Sequence, residues 1–126
     1  MKAAEPLPAP AIDAELSRWT IRLLSHMQIA QPYLAPELTL GELAAQLRTN
    51  TSWLSRVINA GCGKNFNDFI NEYRVQEAEA RLRDPQFRHY TLLAVALEAG
   101  FNSKSTFNRV FKKLRGITPG EVNRLE

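Results

Sequence analysis

The sequence has a single cysteine, Cys62, and only two histidines, His26 and His89, among 126 residues. One cysteine cannot form an intramolecular disulfide, so a disulfide-stapled secreted fold is excluded. Two isolated histidines cannot build a tetrahedral zinc site alone. No candidate nucleophile has a basic side chain at a sequence spacing that would place the two groups in contact. We therefore expect no enzyme, no catalytic residue, no metal site and no cofactor, in a reducing, cytoplasmic compartment.

Long apolar runs are also missing. No stretch approaches the roughly 18 apolar residues needed to cross a bilayer, and the opening MKAAEPLPAP has no hydrophobic segment of the signal-peptide kind. Residues 1–11, rich in Ala and Pro, are predicted to be a linker, and no membrane contact is expected from this chain. With 44% hydrophobic residues, the rest is long enough for one packed domain, or for two very small ones sharing a core.

Acidic residues are scarce in the last quarter of the chain. Residues 1–50 hold 4 cations and 5 anions, residues 51–98 hold 6 and 6, and residues 99–126 hold 6 and 2. The whole positive excess therefore lies near the C-terminal end, where GFNSKSTFNRVFKKLRG contains no carboxylate at all. A local field of one sign favours a polyanion such as nucleic acid, or an anionic membrane surface.

The first half of the chain predicts three helices. Apolar residues recur at spacings of three and four over residues 12–32, which indicates an amphipathic helix that faces the core or forms a dimerisation seam. Thr39 and Glu42 form a capping box in which the Glu42 side chain reaches back to the cap amide. Asn50 offers a second N-cap a few residues later. Two short helices with a tight turn between them give a helix-turn-helix outline over residues 33–64.

A longer helix follows and then the pattern restarts. Asn65 can cap a linker helix over residues 65–84, whose apolar residues are expected on one face and whose 18 residues from Phe66 span roughly 27 Å. Residues 85–126 are predicted to hold a second helix-turn-helix with a C-terminal helix that Thr118 caps. The two motifs are related by a sequence repeat. In its first part, Thr39, Leu40, Ala44 and Asn50 recur 52 positions later as Thr91, Leu92, Ala96 and Asn102. In its second part, Ser52, Arg56, Val57 and Gly63 recur 53 positions later as Ser105, Arg109, Val110 and Gly116.

The predicted fold is thus all-α, with two helix-turn-helix subdomains, a linker helix and about seven helices. In such a DNA reader the second helix of each motif lies in the major groove, here about residues 51–60 and 103–114. Arg109 and its repeat partner Arg56 can each grip a guanine through two hydrogen bonds. Lys112 and Lys113 suit phosphates, or form a solvated helix end that the helix dipole favours.

The remaining polar residues of the two predicted reading helices, together with Trp53, are predicted to make further contacts with the DNA. Ser52 and Ser55 can bond phosphates or base edges with little selectivity. Trp53 contacts a sugar or a thymine methyl, or else packs half-buried against the core. Thr51 and Asn108, together with Trp53, Lys112 and Lys113, complete the predicted set of phosphate contacts.

Two stretches resemble a known family. GFNSKSTFNRVFKKLRGITPGEV is similar to the signature of the AraC/XylS transcription regulators, and NFNDFINEYRVQEAEARL is similar to the linker helix between their paired motifs; the resemblance covers about residues 34–124. It implies a seven-helix domain that contacts double-stranded DNA through two adjacent major grooves and an activator that engages RNA polymerase. The base-contacting residues that it implies are Ser52, Ser55 and Arg56 in the first motif and Lys104, Ser105, Thr106 and Arg109 in the second.

This chain departs from the family pattern at two places. Arg48 stands in the first turn where glycine is common, so a positive φ there would cost about 1 kcal/mol. Arg56 is the only cation of the first reading helix, so the second motif is expected to supply most of the affinity for phosphates. Members of the family normally carry a sensor domain: either this chain is the DNA-binding piece of a longer protein, similar to those with membrane-embedded or two-component sensors, or it acts without its own ligand.

Two other functions compete with DNA reading. A helical protein-interaction module could dock an acidic partner on the same basic face, and it would show no preference among duplex sequences. An RNA reader is less favoured by the pattern, because the aromatic residues fall on the predicted core faces and not on an open stacking platform.

Overall fold

The computed structural model describes residues 9–122, and this part of the chain folds into seven α-helices without any strand. The predicted all-α class with seven helices is confirmed. No helix in this range is both long and apolar enough to cross a membrane. The helices are α1 (Ala9–Ala30), α2 (Leu40–Gln46), α3 (Thr51–Cys62), α4 (Phe66–Arg83), α5 (Leu92–Glu98), α6 (Lys104–Arg115) and α7 (Pro119–Val122), with 3-10 turns at Pro32–Leu34 and Pro85–Phe87.

The chain termini differ in part from the sequence prediction. α1 begins at Ala9, inside the segment predicted to be a linker, and not at Ile12. Residues 1–8 of that linker and residues 123–126 of the predicted C-terminal helix lie outside the described part of the chain. α7 begins with Pro119 in its first position, where a missing N–H costs nothing because that group has no helical partner.

Three predicted N-caps of the first half are confirmed. The side-chain oxygens of Thr39, Asn50 and Asn65 accept hydrogen bonds from backbone N–H groups three residues ahead, at 3.1, 2.8 and 2.8 Å respectively. The capping box differs in one bond: the Glu42 carboxylate accepts from the Thr39 hydroxyl at 3.1 Å, not from the cap amide. Each cap satisfies a donor that the first turn of a helix leaves unpaired.

The second half repeats this construction with one shift of register. Thr91 caps α5, 52 residues after Thr39, but Ser103 caps α6, 53 residues after Asn50. Asn102 therefore has no part in the cap, although it is identical to Asn50 at the predicted offset. The extra residue lies in the turn between α5 and α6, before the helix begins.

Two hydrophobic cores, one for each half of the chain, share α4. The first core is formed by α1, α2, α3 and the beginning of α4, and it includes Leu23, Leu54 and Phe69. The second core is formed by the rest of α4 with α5, α6 and α7, and it includes Val75 and Phe107. Each helix-turn-helix thus has its own apolar support.

The apolar residues of α4 do not form the single face that was predicted. Phe69 and Ile70 are buried in the first core, whereas Val75 and Ala78 are buried in the second. Phe69 and Ala78 are nine positions apart, and at 3.6 residues per turn they project from roughly opposite sides of the helix. α4 therefore carries the two motifs on different sides and connects them as one continuous helix.

The helices α2 and α5 end in the same hydrogen-bonded turn. The N–H groups of Arg48 and Thr49 donate to carbonyls of α2 at 3.1 and 2.9 Å, and those of Gly100 and Phe101 donate to α5 at 3.2 and 2.9 Å. This pattern requires a left-handed residue just beyond the helix, which is usually glycine. Gly100 supplies it with φ +100° in the second motif, and Arg48 adopts φ 58° in the first, at the position where the family pattern has glycine.

Replacing Arg48 by glycine is expected to raise the free energy of unfolding by about 0.5–1 kcal/mol. Relief of the left-handed strain is worth about 1–2 kcal/mol, and the greater freedom of glycine in the unfolded chain takes back about 0.4–1 kcal/mol. Thermal unfolding of Arg48→Gly beside Arg48→Ala measures the effect, because alanine removes the charge but keeps the Cβ atom. An equal gain in both variants would assign it to the charge and not to the backbone.

Candidate nucleic-acid interface

Helix α6 is amphipathic between two well-defined ends. Ser103 Oγ accepts from the Thr106 N–H at 3.2 Å at its beginning, and Gly116, with φ 79°, donates its N–H to the Lys112 carbonyl at 2.8 Å at its end. Phe107, Val110 and Phe111 are buried, so the side chains between them in sequence are turned outward. The exposed ones are Lys104, Ser105, Arg109, Lys112 and Lys113.

Helix α3 has the same plan but fewer charges. Asn50 caps its first turn, and Gly63, with φ 67°, ends it. Leu54, Val57 and Ile58 are buried in the first core. Thr51, Ser52 and Arg56 are exposed, and Ser55 is half-buried. Arg56 is the only cation in the helix.

The other predicted site residues of α6 are less accessible. Thr106 is half-buried, and its Oγ1 accepts from the Ser103 hydroxyl at 3.0 Å. Thr106 belongs to the cap of the helix, and its hydroxyl keeps one proton to donate and one lone pair to accept a further hydrogen bond. Asn108 is also half-buried.

Trp53 is held in the first subdomain. Its ring is half-buried and meets Trp19 of α1 edge to face at 6.4 Å between centroids. The Arg56 guanidinium carbon lies 5.9 Å from the centre of the same ring. These contacts show that Trp53 packs in the first subdomain, and the exposed part of its half-buried ring leaves room for a DNA contact. The ring also offers Arg56 a surface on which a cation is weakly attracted.

One cation of the basic stretch is already neutralised. Arg115 bonds Glu72 of α4 at 2.9 Å and Glu79 at 3.2 Å. Burial alone would lower the pKa of Arg115, but its hydrogen bonds and charge attraction to these two carboxylates raise it. Arg115 therefore ties the end of α6 to α4. The partner carboxylates are 43 and 36 residues away, so no local pattern in the sequence indicates the pairing.

Four cations remain without such a partner. Within residues 9–122, no carboxylate lies at ion-pair distance from Lys104, Arg109, Lys112 or Lys113. Solvated lysines and arginines on one helix face attract phosphates, and a helix with an exposed polar face fits the major groove. The predicted basic face of α6 is therefore present and available.

A groove between α6 and the beginning of α4 adds a residue that the sequence pattern does not indicate. Arg109 and Lys113 line it on one side, and Lys64 lines it on the other together with Asp68 and Glu72. Lys64 directly precedes the Asn65 cap of α4 and belongs to neither predicted reading helix. Only the folded chain brings Lys64 beside α6, because Lys64 and Arg109 are 45 positions apart in the sequence.

The described part of the chain offers no metal site. No group of three or more His, Cys, Asp and Glu side chains within residues 9–122 is placed to hold a metal ion. His26 Nε2 bonds Gln46 Oε1 at 2.7 Å. Burial raises the pKa of the Cys62 thiol, and the charge of Lys64 offsets this only in part, so the thiol is protonated at neutral pH and is a poor nucleophile.

The chain matches a known family of proteins. A family model described as a helix-turn-helix domain matches residues 43–124. An uncharacterised HTH-type transcriptional regulator of Bacillus subtilis, YtdP, is 33% identical over 84 residues, which are 67% of this chain and 10% of that protein. The chain spans about a tenth of the length of the curated relatives it matches.

Two solved structures have the same fold. The C-terminal domain of the two-component response regulator yesN from Fusobacterium nucleatum has a TM-score of 0.67 and 25% identity, with 82% of this chain and 97% of that one covered. A transcriptional regulator from Chromobacterium violaceum, described as having an AraC-type DNA-binding domain, has a TM-score of 0.71 at 18% identity, with 85% and 94% covered. At that identity the second structure supports the fold alone.

Proposed function

The chain belongs to the AraC-type helix-turn-helix regulators, and from this premise we propose that it binds double-stranded DNA sequence-specifically, with α3 and α6 in adjacent major grooves. One observation carries the proposal. Two equivalent capped helices, joined by the continuous helix α4, each present an exposed polar face, and that of α6 has four cations for which residues 9–122 supply no carboxylate at ion-pair distance. Adjacent major grooves on one face of B-DNA are about 34–36 Å apart.

The roles within each helix follow from the chemistry of the side chains. Arg109 and Arg56 are proposed to read guanine, because a guanidinium can donate two hydrogen bonds to its O6 and N7 atoms. Ser52, Ser55, Lys104, Ser105 and Thr106 are proposed to contact bases near the beginnings of the helices. The proposed contacts to the DNA backbone are made by Thr51, Trp53, Asn108, Lys112 and Lys113, which position the protein without specifying sequence.

The regulatory role is a further part of the proposal. The resemblance to AraC/XylS regulators supports an activator that engages RNA polymerase at a promoter. The matched relatives are about ten times as long as their matched segment, which supports a sensor domain elsewhere in a longer chain.

Selection from a pool of random duplexes at near-physiological salt tests DNA reading. We expect enrichment of two unlike short motifs about one helical turn apart. A single enriched motif would mean that α3 only clamps the DNA backbone. If no sequence is enriched and binding only weakens steeply with salt, as non-specific binding does, the basic face serves another acidic partner and the proposal fails.

A further inference from the structure

The middle of α4 binds the segment between α1 and α2. Arg74 Nε donates to the Tyr33 carbonyl at 2.8 Å, and Arg74 Nη2 donates to the Ala35 carbonyl at 2.9 Å. The Tyr33 ring stacks on Tyr73 at 5.2 Å between centroids, and Tyr33 is 6% exposed. A single guanidinium thereby fixes two backbone carbonyls of the chain segment between α1 and α2.

The turn between α5 and α6 contacts the same backbone segment and Arg74. A Cβ atom added to Gly100 would lie 2.2 Å from the Tyr33 carbonyl oxygen, 2.9 Å from Arg74 Nε and 3.2 Å from the Leu34 Cα atom. No side chain fits there, and the positive φ of Gly100 disfavours one as well. The turn between α5 and α6 therefore packs directly on the first subdomain, through Arg74 and the backbone that Arg74 holds.

This junction lies at the boundary between the two cores. The core residues of α4 before Arg74 belong to the first core, and those after it, beginning with Val75, belong to the second. Arg74 is thus the residue at which the linker helix, the first subdomain and the turn of the second motif all meet. Its guanidinium is a planar fork whose donors have fixed directions, so the two bonds fix orientation as well as distance.

We propose that Arg74 is a positioning residue that sets the distance and the rotational phase between α3 and α6, and hence the spacing of the two DNA half-sites. The inference rests on the proposed function, since it needs both helices to read DNA. One added base pair moves the second half-site by about 3.4 Å and turns it by about 34–36° around the duplex. A protein with a fixed arrangement of α3 and α6 can bind a duplex of altered spacing only if the DNA or the protein deforms, and either deformation lowers the affinity.

The test compares Arg74→Met with Arg81→Met. Both changes remove a partly buried guanidinium from α4, but Arg81 binds Glu77 at 3.0 Å and also Glu98, so its contacts stay within one subdomain. Dissociation constants are measured on duplexes with the selected half-sites at the selected spacing and at one base pair more or less. The binding of each variant to duplexes with a single half-site is also measured. Thermal unfolding of each variant measures its stability.

We expect the wild type and Arg81→Met to bind the selected spacing about tenfold or more tightly than its neighbours, and Arg74→Met to discriminate less than about threefold. Binding to single half-sites is expected to stay within about twofold in both variants. Unchanged discrimination in Arg74→Met, or an equal loss of affinity at all spacings, would overturn the inference. The second result would leave Arg74 with a role in stability alone.

Two further measurements keep the outcome decisive if Arg74→Met does not fold. Arg74→Lys retains the charge, but its ammonium group cannot bridge both carbonyls in a fixed plane, so intermediate discrimination is expected. The spacing profile of the wild type needs no variant: affinities within about twofold at all three spacings would show that the junction does not fix the phase. If the wild type prefers no half-site sequence at all, the proposed function itself fails, a result separate from any spacing effect.

Discussion

Replacing Phe107 by alanine is expected to lower the free energy of unfolding by about 3–5 kcal/mol, the usual cost of truncating a buried aromatic side chain. Phe107 is 0% exposed, and its ring lies 5.2 Å from that of Phe101 and 5.7 Å from that of Phe111. Alanine would leave a cavity beside the rings of Phe101 and Phe111 in the second core. Denaturant titration measures the loss.

The location of the damage can also be predicted. Because the first core has its own helices, amide hydrogen exchange should speed up first around Val95 and Val110, while Leu54 and Ile70 keep their protection. Leu97→Ala is the matched control, since Leu97 lies in the same motif but is 46% exposed, and its truncation should stay within about 0.5 kcal/mol. Unchanged stability of Phe107→Ala would place that side chain outside the core.

Replacing Arg109 by alanine is expected to weaken binding to the selected duplex by about 1–3 kcal/mol and to relax the preference at one base pair. Lys113→Ala is the matched partner: both side chains are exposed on α6, one turn apart, and both line the groove beside α4. The lysine variant should weaken binding to all duplexes alike and reduce the slope of log affinity against log salt by about 1.

The comparison separates base reading from phosphate contact. Titrations of both variants against the selected duplex, its single-position changes and an unrelated duplex supply the free energies. If Arg109→Ala also weakened every duplex equally, Arg109 would be a second phosphate contact, and the predicted assignment of roles would be wrong.

Features encoded within a few residues could be predicted from the sequence. The caps of α2, α3 and α4 depend on a side chain and an amide three residues apart, and the positive φ of Arg48 depends on a turn only a few residues long. The basic face of α6 follows from its helical period alone. The repeated helix-turn-helix is likewise evident from the order of caps and apolar residues along the chain.

Features decided by packing could not be predicted. The pairing of Arg115 with Glu72 and Glu79 joins residues that no periodicity relates. Likewise, the two sides of α4 become distinct only because each half of the helix packs into its own core.

Both cores are assembled from contiguous stretches of chain, with residues 16–73 around the first and residues 75–122 around the second. Contacts that are close in sequence require only short loops to close, so helical folds of this kind form fast, in microseconds to milliseconds. During synthesis the chain emerges at about 5–20 residues per second, so the first core can form while the second is still being made. The contact between Arg74 and the turn at Gly100 becomes possible only after all the residues of the first core have been synthesised.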